Sequence, residues 1–201
     1  MGQSTSTATL RNEVTGTINE PDPKSGKTVA VWELYEKLGE GGFGAVHRAM
    51  RKKDRMEAAI KTIKHETAAE CQNSFKELHL LQKLDHPAIM KVFKGFVLSG
   101  SEGKTLVIVM EYLDGQTLGD LMKELRAVPL ILAIGWFLQL VDAFSYLASQ
   151  GVLHRDVKPQ NIMVVPAKNA EGEKTGEVKL KVIDFGLATQ MVSQYKGGGK
   201  T

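Results

Sequence analysis

Five polar side chains lie close together in the segment GVLHRDVKPQN at positions 151–161, directly after an apolar run. They are His154, Arg155, Asp156, Lys158 and Asn161. Lysine and asparagine contribute little to a hydrophobic core, and an Arg–Asp pair is costly to bury. The composition of this segment therefore needs an explanation other than packing, and the other motifs of the chain have to supply it.

A second acidic side chain, Asp184, ends an apolar segment within the motif VIDFG. An aspartate in a turn after a strand is common. Asp184 and Asn161 together could instead provide oxygen ligands to Mg²⁺, which keeps several waters and takes few protein carboxylates. Both interpretations, an ordinary turn and a magnesium site, are open from this motif alone.

Glycines recur at positions 39, 41 and 44 in LGEGGFGAV, and Val46 follows the last of them. The motif joins two predicted strands, which excludes a dinucleotide-binding fingerprint because that fingerprint opens a helix. A glycine-rich hairpin can lie over a polyphosphate and offer backbone N–H groups to it. The alternative is a plain hairpin turn, and Gly39, Gly41 and Gly44 fit either interpretation.

Lys61 closes the segment AAIK, seventeen residues after Gly44. A lysine in this place is usually a solvated strand end. If a carboxylate of the following predicted helix held it, its ammonium would become a fixed charge for phosphate oxygens. Glu77 is suitably placed, on the side of that helix that also carries Leu81 one turn later. The spacing permits the pair and does not require it.

The predicted elements put these residues at turns and strand ends. Period-two alternation and β-branched composition predict five strands, with one helix at 66–84 after the third strand; the strands lie at 31–39, 44–50, 56–64, 88–98 and 104–113. Beyond DGQT the pattern becomes helical, and a long buried helix is expected to end at Gly151. Two short strands, NIMVV and VKLKVI, follow and flank a polar insertion.

Composition limits the classes of protein to which the chain could belong. Apolar residues make up 42% and charged residues 24% of its 201 residues, and the formal net charge of +3 does not call for a nucleic-acid partner. The single cysteine, Cys71, excludes an internal disulfide and fits a reducing compartment. The five histidines lack zinc-type spacing. The apolar run 127–138 is too short to span a bilayer and favours a buried helix.

Residues 1–30 are rich in Ser, Thr, Pro and Gly, which predicts a disordered leader. The first six residues, MGQSTS, fit the pattern M-G-x-x-x-[ST] for myristoylation of Gly2, against the alternative of a chance match. One acyl chain anchors a protein only weakly, and the leader has neither a cysteine nor a net basic charge to add a second signal. The expectation is a cytoplasmic protein with weak, reversible membrane contact.

Taken together, the motifs resemble the protein kinase signature in both order and context. It consists of Gly39-x-Gly41-x-x-Gly44-x-Val46, Ala59-Ile60-Lys61, His154-Arg155-Asp156-(x)4-Asn161 and Asp184-Phe185-Gly186. Each motif alone is weak evidence, but four in the expected order leave chance a negligible rival. The resemblance covers the chain from about Val31 onward.

The resemblance implies a role for each member of the polar cluster. Asp156 would accept the proton of a substrate hydroxyl, and Asn161 with Asp184 would hold magnesium. Lys158 is similar to the lysine of serine/threonine kinases that neutralises charge on the transferred phosphate. By the same similarity, His154 would pack under Phe185, and Arg155 would pair with a phosphate on the activation loop. Lys61, paired with Glu77, would bind the phosphates of ATP.

The resemblance also implies an adenine-binding hinge in the segment MEYLDG. Met110 would be the gatekeeper, and Glu111 and Leu113 would offer backbone hydrogen bonds to the purine. Val46 and Ala59 would line the same nucleotide site. An ordinary exit from a strand into a loop is the alternative for this segment. Thr117 stands where many relatives carry an acidic residue, which puts a preference for basic substrates in doubt.

The resulting expectation is an α+β, bilobal protein-kinase-like fold. Its N-lobe, residues 31–113, would be a five-stranded antiparallel sheet with one helix, and residues 114–201 would form an incomplete, mainly helical C-lobe. The expected function is transfer of phosphate from ATP, with Mg²⁺, to Ser or Thr of protein substrates. The A-P-E element and the helices of the peptide platform are absent from these 201 residues. The alternative is therefore an inactive fragment that binds nucleotide or a partner.

Overall fold

The computed structural model of the chain describes residues 13–41, 44–100, 103–125, 127–169, 171–185 and 189–190. These residues form two compact units. The first comprises the described residues of Met1–Lys83 and Met90–Asp114, and the second comprises those of Leu84–Ile89 and Gly115–Thr201. The segment Leu84–Ile89 thus belongs with the C-terminal half, although it interrupts the N-terminal half in sequence.

The first unit is built on a sheet of six antiparallel strands in the order β1-β2-β3-β4-β6-β5. The strands are β1 Gly16–Pro21, β2 Thr28–Gly41, β3 Gly44–Arg51, β4 Glu57–His65, β5 Val92–Gly100 and β6 Gly103–Met110. Five of these strands match the predicted ones to within a few residues at each end. The predicted count of five is wrong because β1 adds a strand at one edge.

Strand β1 corrects the prediction that residues 1–30 are a disordered leader. It pairs with β2 from Gly16↔Leu34 to Pro21↔Thr28, and its residues Ile18 and Glu20 are buried. The Trp32 indole donates a hydrogen bond from Nε1 to Glu20 Oε2 at 3.0 Å, and Lys94 Nζ lies 2.6 Å from Glu20 Oε1. Composition misjudged this segment because one apolar side chain and one paired carboxylate are enough to attach a strand to an existing sheet. Gly2 lies outside the described residues.

We expect Glu20→Ala to destabilise the first unit by about 1–3 kcal/mol, because it leaves the Trp32 indole and the Lys94 ammonium without their shared acceptor. Urea unfolding followed by tryptophan fluorescence measures the change. Glu13→Ala is the matched control, since Glu13 is exposed. Equal unfolding midpoints for the two variants would show that the buried carboxylate contributes nothing to the attachment of β1.

Each face of this sheet carries a cluster of buried apolar side chains. One face holds a core that includes Ile18, Trp32, Ile60, Phe96 and Val107. On the other face lies helix α1, Ala68–Leu81, which buries Cys71 and Leu78 against the sheet. Thr67 begins this helix with a capping box in which its side chain accepts from the Glu70 backbone N–H and the Glu70 side chain accepts from that of Thr67.

The second unit consists of short strands and two α-helices. Its elements are β7 Gln116–Thr117, α2 Leu118–Glu124, α3 Leu130–Ser149, β8 Val152–Leu153, a 3₁₀-helix at Pro159–Asn161, β9 Ile162–Lys168, β10 Lys174–Val182 and β11 Thr189–Gln190. Strands β9 and β10 are the two strands predicted on either side of the polar insertion, and they pair as an antiparallel hairpin. Ile162, Val164 and Leu180 form the core, against which Trp136 and Leu140 of α3 pack. Helix α3 ends at Ser149 with Gln150 as its C-cap, and the next residue, Gly151, has φ of 70°, a left-handed conformation suited to glycine.

Helix α3 differs from the buried helix that the sequence predicts. Ala143 and Leu147 are buried, but much of its apolar surface is exposed, including Leu130, Ile131, Ile134, Phe137, Leu138 and Val141. Helical periodicity identifies an apolar face and cannot show whether a partner covers it. Of the described helices, α3 alone has the length and apolar composition of a membrane span. Its inner side nevertheless packs into the core of the second unit.

Candidate active site

The segment after β8 brings two of the predicted catalytic residues, Asp156 and Lys158, together with the predicted metal ligand Asn161. Lys158 Nζ donates to Asp156 Oδ2 at 2.6 Å, and Asn161 Nδ2 donates to the same oxygen at 2.8 Å and to the Asp156 carbonyl at 2.9 Å. The 3₁₀-turn at Pro159–Asn161 makes this contact possible because it folds Asn161 back toward Asp156, with Asn161 N–H bonded to the Lys158 carbonyl. The carboxylate is thus held by two side chains from its own loop.

These contacts also determine the charge of Asp156. The hydrogen bond from Lys158 lowers the pKa of its carboxyl below the ordinary value of 3.8, opposed in part by desolvation, and the hydrogen bond from Asn161 lowers it further. The side chain is therefore a carboxylate throughout the neutral range. A carboxylate that is ionised and oriented can accept a hydrogen bond from a hydroxyl group, which is the first requirement of a general base.

His154 is a structural residue in this loop. Its ring is buried, Nε2 lies 3.0 Å from the Ile183 carbonyl, and Nδ1 accepts from the Asp156 N–H at 3.3 Å, so that Nε2 carries the proton. The His154 and Phe185 ring centroids are 4.9 Å apart. This confirms the packing role that the resemblance implied for His154, and it excludes the ring as a free base because both nitrogens are occupied.

The loop is joined directly to the segment that carries Asp184. Ile183 donates its N–H to the Asn161 carbonyl at 2.9 Å, while the Ile183 carbonyl is bonded to His154. Both backbone groups of the residue before Asp184 are therefore held by the loop that contains Asp156. This arrangement fixes the backbone of Asp184 relative to that of Asn161.

Two residues of the second unit have a left-handed backbone without being glycine. Arg155 has φ of 64° and Asp184 has φ of 57°. Such conformations cost about 1–3 kcal/mol each and persist where the surroundings impose them, often at functional sites. Both residues are next to the hydrogen-bonded groups of this loop, since Arg155 precedes the Asp156 carboxylate and Asp184 follows the Ile183 backbone. Gly186, the last residue of the Asp-Phe-Gly motif, lies outside the described residues.

Asn161 and Asp184 offer oxygen atoms of the kind that Mg²⁺ prefers. The amide nitrogen of Asn161 makes both hydrogen bonds to Asp156, which leaves its Oδ1 as the available acceptor. Asp184 is half-buried and supplies a carboxylate. Among the described residues no group of three or more His, Cys, Asp or Glu side chains could hold a metal ion. Two oxygen donors are nonetheless enough for Mg²⁺, which retains waters and substrate phosphates as its other ligands.

The first unit presents the predicted nucleotide-binding side chains on one face of its sheet. Val46 lies opposite Lys61 across β3 and β4, and Ala59 of β4 lies opposite Met110 of β6. Residues directly opposite each other share a face, and so do residues two apart in one strand. The four side chains therefore occupy neighbouring rows of the same face.

The glycine-rich motif spans the connection from β2 to β3. Gly39 and Gly41 lie near the end of β2, and Gly44 begins β3 with φ of 111°. A Cβ at Gly44 would lie only 1.9 Å from the Thr62 carbonyl oxygen, whereas a Cβ at Gly39 or Gly41 would meet no atom of the described residues within 4 Å. Gly44 is therefore required by the packing of β3 on β4, and none of the described residues covers the other two glycines.

Glu77 departs from its predicted role. Its side chain is exposed on α1, and it forms no ion pair with any of the described residues, including Lys61. Lys61 itself is half-buried and has other interactions. The predicted Lys61–Glu77 pair is thus not formed in this structure. The sequence correctly placed Glu77 on the helix that follows the strand of Lys61. The burial of Cys71 and Leu78 nevertheless orients this helix so that Glu77 faces solvent.

The predicted hinge leaves the end of β6 and is held at two successive residues. Glu111 donates its N–H to the Lys91 carbonyl at 2.9 Å and accepts at Oε1 from the Lys91 N–H at 2.7 Å. The ring of Tyr112 lies beside the Arg48 guanidinium, with Cζ 5.9 Å from the ring centroid. Arg48 was not predicted as a site residue. The two-residue period from Val46 was the available signal, because it places Arg48 on the same face.

Comparison with known proteins agrees with these observations. The model of the protein kinase domain matches residues 32–200. The chain is 35% identical to the human serine/threonine-protein kinase Nek5 over 164 residues, which is 78% of this chain and 21% of that protein. It is 30% identical to serine/threonine-protein kinase STK11 of Gallus gallus over 184 residues, which is 89% of this chain and 39% of that protein.

A third relative is the cytokinesis protein sepH of Emericella nidulans, 34% identical over 178 residues, which is 84% of this chain and 12% of that protein. The chain thus spans well under half the length of each of these relatives. The match to the kinase domain model covers most of the chain, and it includes the glycine-rich, Ala-Ile-Lys, His-Arg-Asp and Asp-Phe-Gly motifs. The chain therefore belongs to the protein kinase family, and its relatives include serine/threonine kinases.

Proposed function

We propose that this chain supplies the nucleotide-binding and catalytic residues of a protein that transfers the γ-phosphate of ATP to a Ser or Thr hydroxyl of protein substrates. The observation that carries the proposal is the hydrogen-bonded group of Asp156, Lys158 and Asn161, joined through Ile183 to Asp184. Phosphoryl transfer needs a carboxylate, an ammonium group and oxygens that can bind a metal ion. These hydrogen-bonded residues supply all three.

In this mechanism each residue has one task. Asp156 accepts the proton of the attacking hydroxyl, and its lowered pKa keeps it ionised for that purpose. Lys158, already 2.6 Å from that carboxylate, neutralises charge on the transferred phosphate. Asn161 and Asp184 would hold Mg²⁺, which neutralises the phosphate oxygens of ATP when bound. Lys61 and the backbone of Gly39, Gly41 and Gly44 bind the remaining phosphates.

Lys158 also supports Ser and Thr as the acceptors. Tyrosine kinases usually lack a lysine at this position, and the family resemblance assigns it to the serine/threonine group. The names of the relatives Nek5 and STK11 support the same class.

A second candidate is a chain that binds nucleotide or a partner without turnover. Exposed Glu77 favours it, because protein kinases need the lysine–glutamate pair in place for catalysis. One experiment separates the two. Mg²⁺-dependent binding of ATP together with phosphorylation of a Ser/Thr peptide, both lost in Lys61→Met and Asp184→Asn, supports the enzyme. Binding of ATP that is lost in these variants, without phosphorylation by the unchanged protein, supports the second candidate.

We further propose that Gly2 is myristoylated and that the protein makes weak, reversible contact with membranes from the cytoplasm. The support is the sequence MGQSTS, with no second anchoring signal in the leader. Intact mass spectrometry of protein made in a host that can myristoylate should show the added acyl group, and Gly2→Ala should lack it. An unmodified N-terminus from that host would reject the proposal.

A further inference from the structure

We propose that Arg48 is a positioning residue for the nucleotide, because it holds the hinge Glu111–Leu113 in place through the ring of Tyr112. The inference rests on the proposed function in one respect, because that function makes the hinge backbone the expected hydrogen-bond partner of adenine. We call Arg48, its two carboxylate partners Glu36 and Glu57, and the rings of Tyr35 and Tyr112 the clamp. All of these residues belong to the first unit.

The guanidinium of Arg48 is fixed by two carboxylates. Nε donates to Glu36 Oε1 at 2.9 Å and to Oε2 at 3.1 Å, and Nη1 donates to Glu57 Oε1 at 2.8 Å. Arg48 is only 9% exposed, so this charge is almost fully enclosed by its partners. A planar group with several donors along its edge can be held in this way and still present its faces to aromatic rings.

Two tyrosine rings flank this guanidinium. Its Cζ lies 4.8 Å from the ring centroid of Tyr35 and 5.9 Å from that of Tyr112. Burial, together with the negative charge of Asp114, raises the pKa of the Tyr112 phenol, in agreement with an enclosed ring. The cation therefore connects Tyr112, which belongs to the hinge, to Tyr35 and Glu36 of β2 and to Glu57 of β4.

The position of Arg48 in the sheet explains why it can reach the hinge. Arg48 lies opposite Ala59, and Ala59 lies opposite Met110, the last residue of β6. The row Arg48–Ala59–Met110 is thus next to the row Val46–Lys61, and it ends where the hinge begins. Glu111 is held separately by the backbone of Lys91. Without Arg48, Tyr112 would lose its cation contact while Glu111 kept its hydrogen bonds.

The test compares Arg48→Met with Arg51→Met in the chain as it exists. Arg51 is a matched control because it lies in the same strand, pairs with Asp54 at 2.6 Å, and places its Cζ 5.4 Å from the Trp32 ring, away from the hinge. Hydrogen exchange of residues 111–114 is measured without nucleotide, and the Kd for Mg²⁺–ATP is measured separately. We expect Arg48→Met to speed hinge exchange and to raise the Kd by about 3- to 30-fold, whereas Arg51→Met leaves both unchanged.

Two further variants separate the clamp from general damage. Tyr112→Ala removes the same contact from the other side and leaves Glu36 and Glu57 paired, so it should reproduce the effect of Arg48→Met in a folded protein. Arg48→Lys keeps the charge without the planar fork and should recover part of the affinity. The double variant Arg48→Met/Tyr112→Ala should bind no more weakly than Arg48→Met alone, because both changes remove one interaction.

Three results would overturn the inference. Equal acceleration of hinge exchange by Arg48→Met and Arg51→Met would indicate a general loss of stability. Unchanged hinge exchange in Tyr112→Ala would show that the ring contact holds nothing. Faster hinge exchange in Arg48→Met with an unchanged Kd for Mg²⁺–ATP would show that Arg48 does not position the nucleotide. If the unchanged chain binds no Mg²⁺–ATP, that result counts against the proposed function, and the exchange comparison still decides whether the clamp exists.

Discussion

Replacing Asp156 with Asn should lower the rate of phosphoryl transfer by about 10²–10⁴-fold and leave the affinity for Mg²⁺–ATP nearly unchanged. The substitution keeps the size of the side chain and an oxygen that can accept from Lys158 and Asn161, but it removes the negative charge that we propose accepts the proton. The loss should therefore appear in the chemical step. Single-turnover transfer to a Ser/Thr peptide measures it, alongside an equilibrium Kd for ATP, in a form of the protein that transfers phosphate.

The chain offers a closely matched control for this change. Asp120 of α2 also bonds a nearby lysine, Lys123, at 2.7 Å, and this bond likewise lowers the pKa of its carboxyl. Asp120→Asn should leave both the transfer rate and the ATP affinity as they were. If Asp156→Asn transferred phosphate at the normal rate, another group would have to be the base. If it lost ATP affinity as strongly as rate, Asp156 would be a binding residue.

Replacing Gly44 with Ala should destabilise the first unit by about 2–3 kcal/mol and should weaken nucleotide binding as well. The reason is steric: the new Cβ would lie 1.9 Å from the Thr62 carbonyl oxygen and 2.9 Å from the Thr62 carbonyl carbon, in a residue with φ of 111°. Backbone atoms cannot rotate away as a side chain does, so β3 has to shift on β4. Since Lys61 is next to Thr62 in β4, the shift reaches the lysine that we propose binds phosphate.

Gly39→Ala and Gly41→Ala separate the steric effect from an effect on ligand binding. Within the part of the chain that the structure describes, neither site has an atom within 4 Å of the added Cβ, and neither has a positive φ. Both variants should unfold at the denaturant concentration of the unchanged protein, while a methyl group on the open surface of the hairpin should still weaken ATP binding. An unfolding midpoint for Gly44→Ala equal to those of the two controls would show that β3 tolerates the group.

The elements with local signals were predicted well. The helix predicted at 66–84 is α1 at Ala68–Leu81, and the predicted stop Gly151 directly follows the C-cap of α3, because helical periodicity and left-handed backbone depend on a few neighbouring residues. The family was also identified correctly from four short motifs. The roles assigned to Asp156, Lys158, Asn161 and Asp184 stay predictions, although the structure brings the first three together and ties them to the fourth.

The features that sequence reasoning missed depend on distant partners. Glu20 is buried because of Trp32 and Lys94, which are 12 and 74 residues away, so local composition could not show that β1 forms. The exposed side of α3 has the same pattern as a buried one, because periodicity carries no information about what covers it. Glu77 has the expected spacing from Lys61, but the side to which the helix turns is decided by the packing of Leu78.

Strand β1 has a practical consequence for anyone who divides this protein into fragments. The match to the kinase domain begins at residue 32, so a fragment cut by homology would start there and lose β1. The backbone N–H and C=O groups of β2 that now pair with β1 would become an open edge of the sheet. An open edge can form hydrogen bonds with a strand of another molecule. A fragment from residue 13 would keep that edge occupied. We expect the shorter fragment to form oligomers at concentrations where the longer one stays monomeric, as light scattering would show.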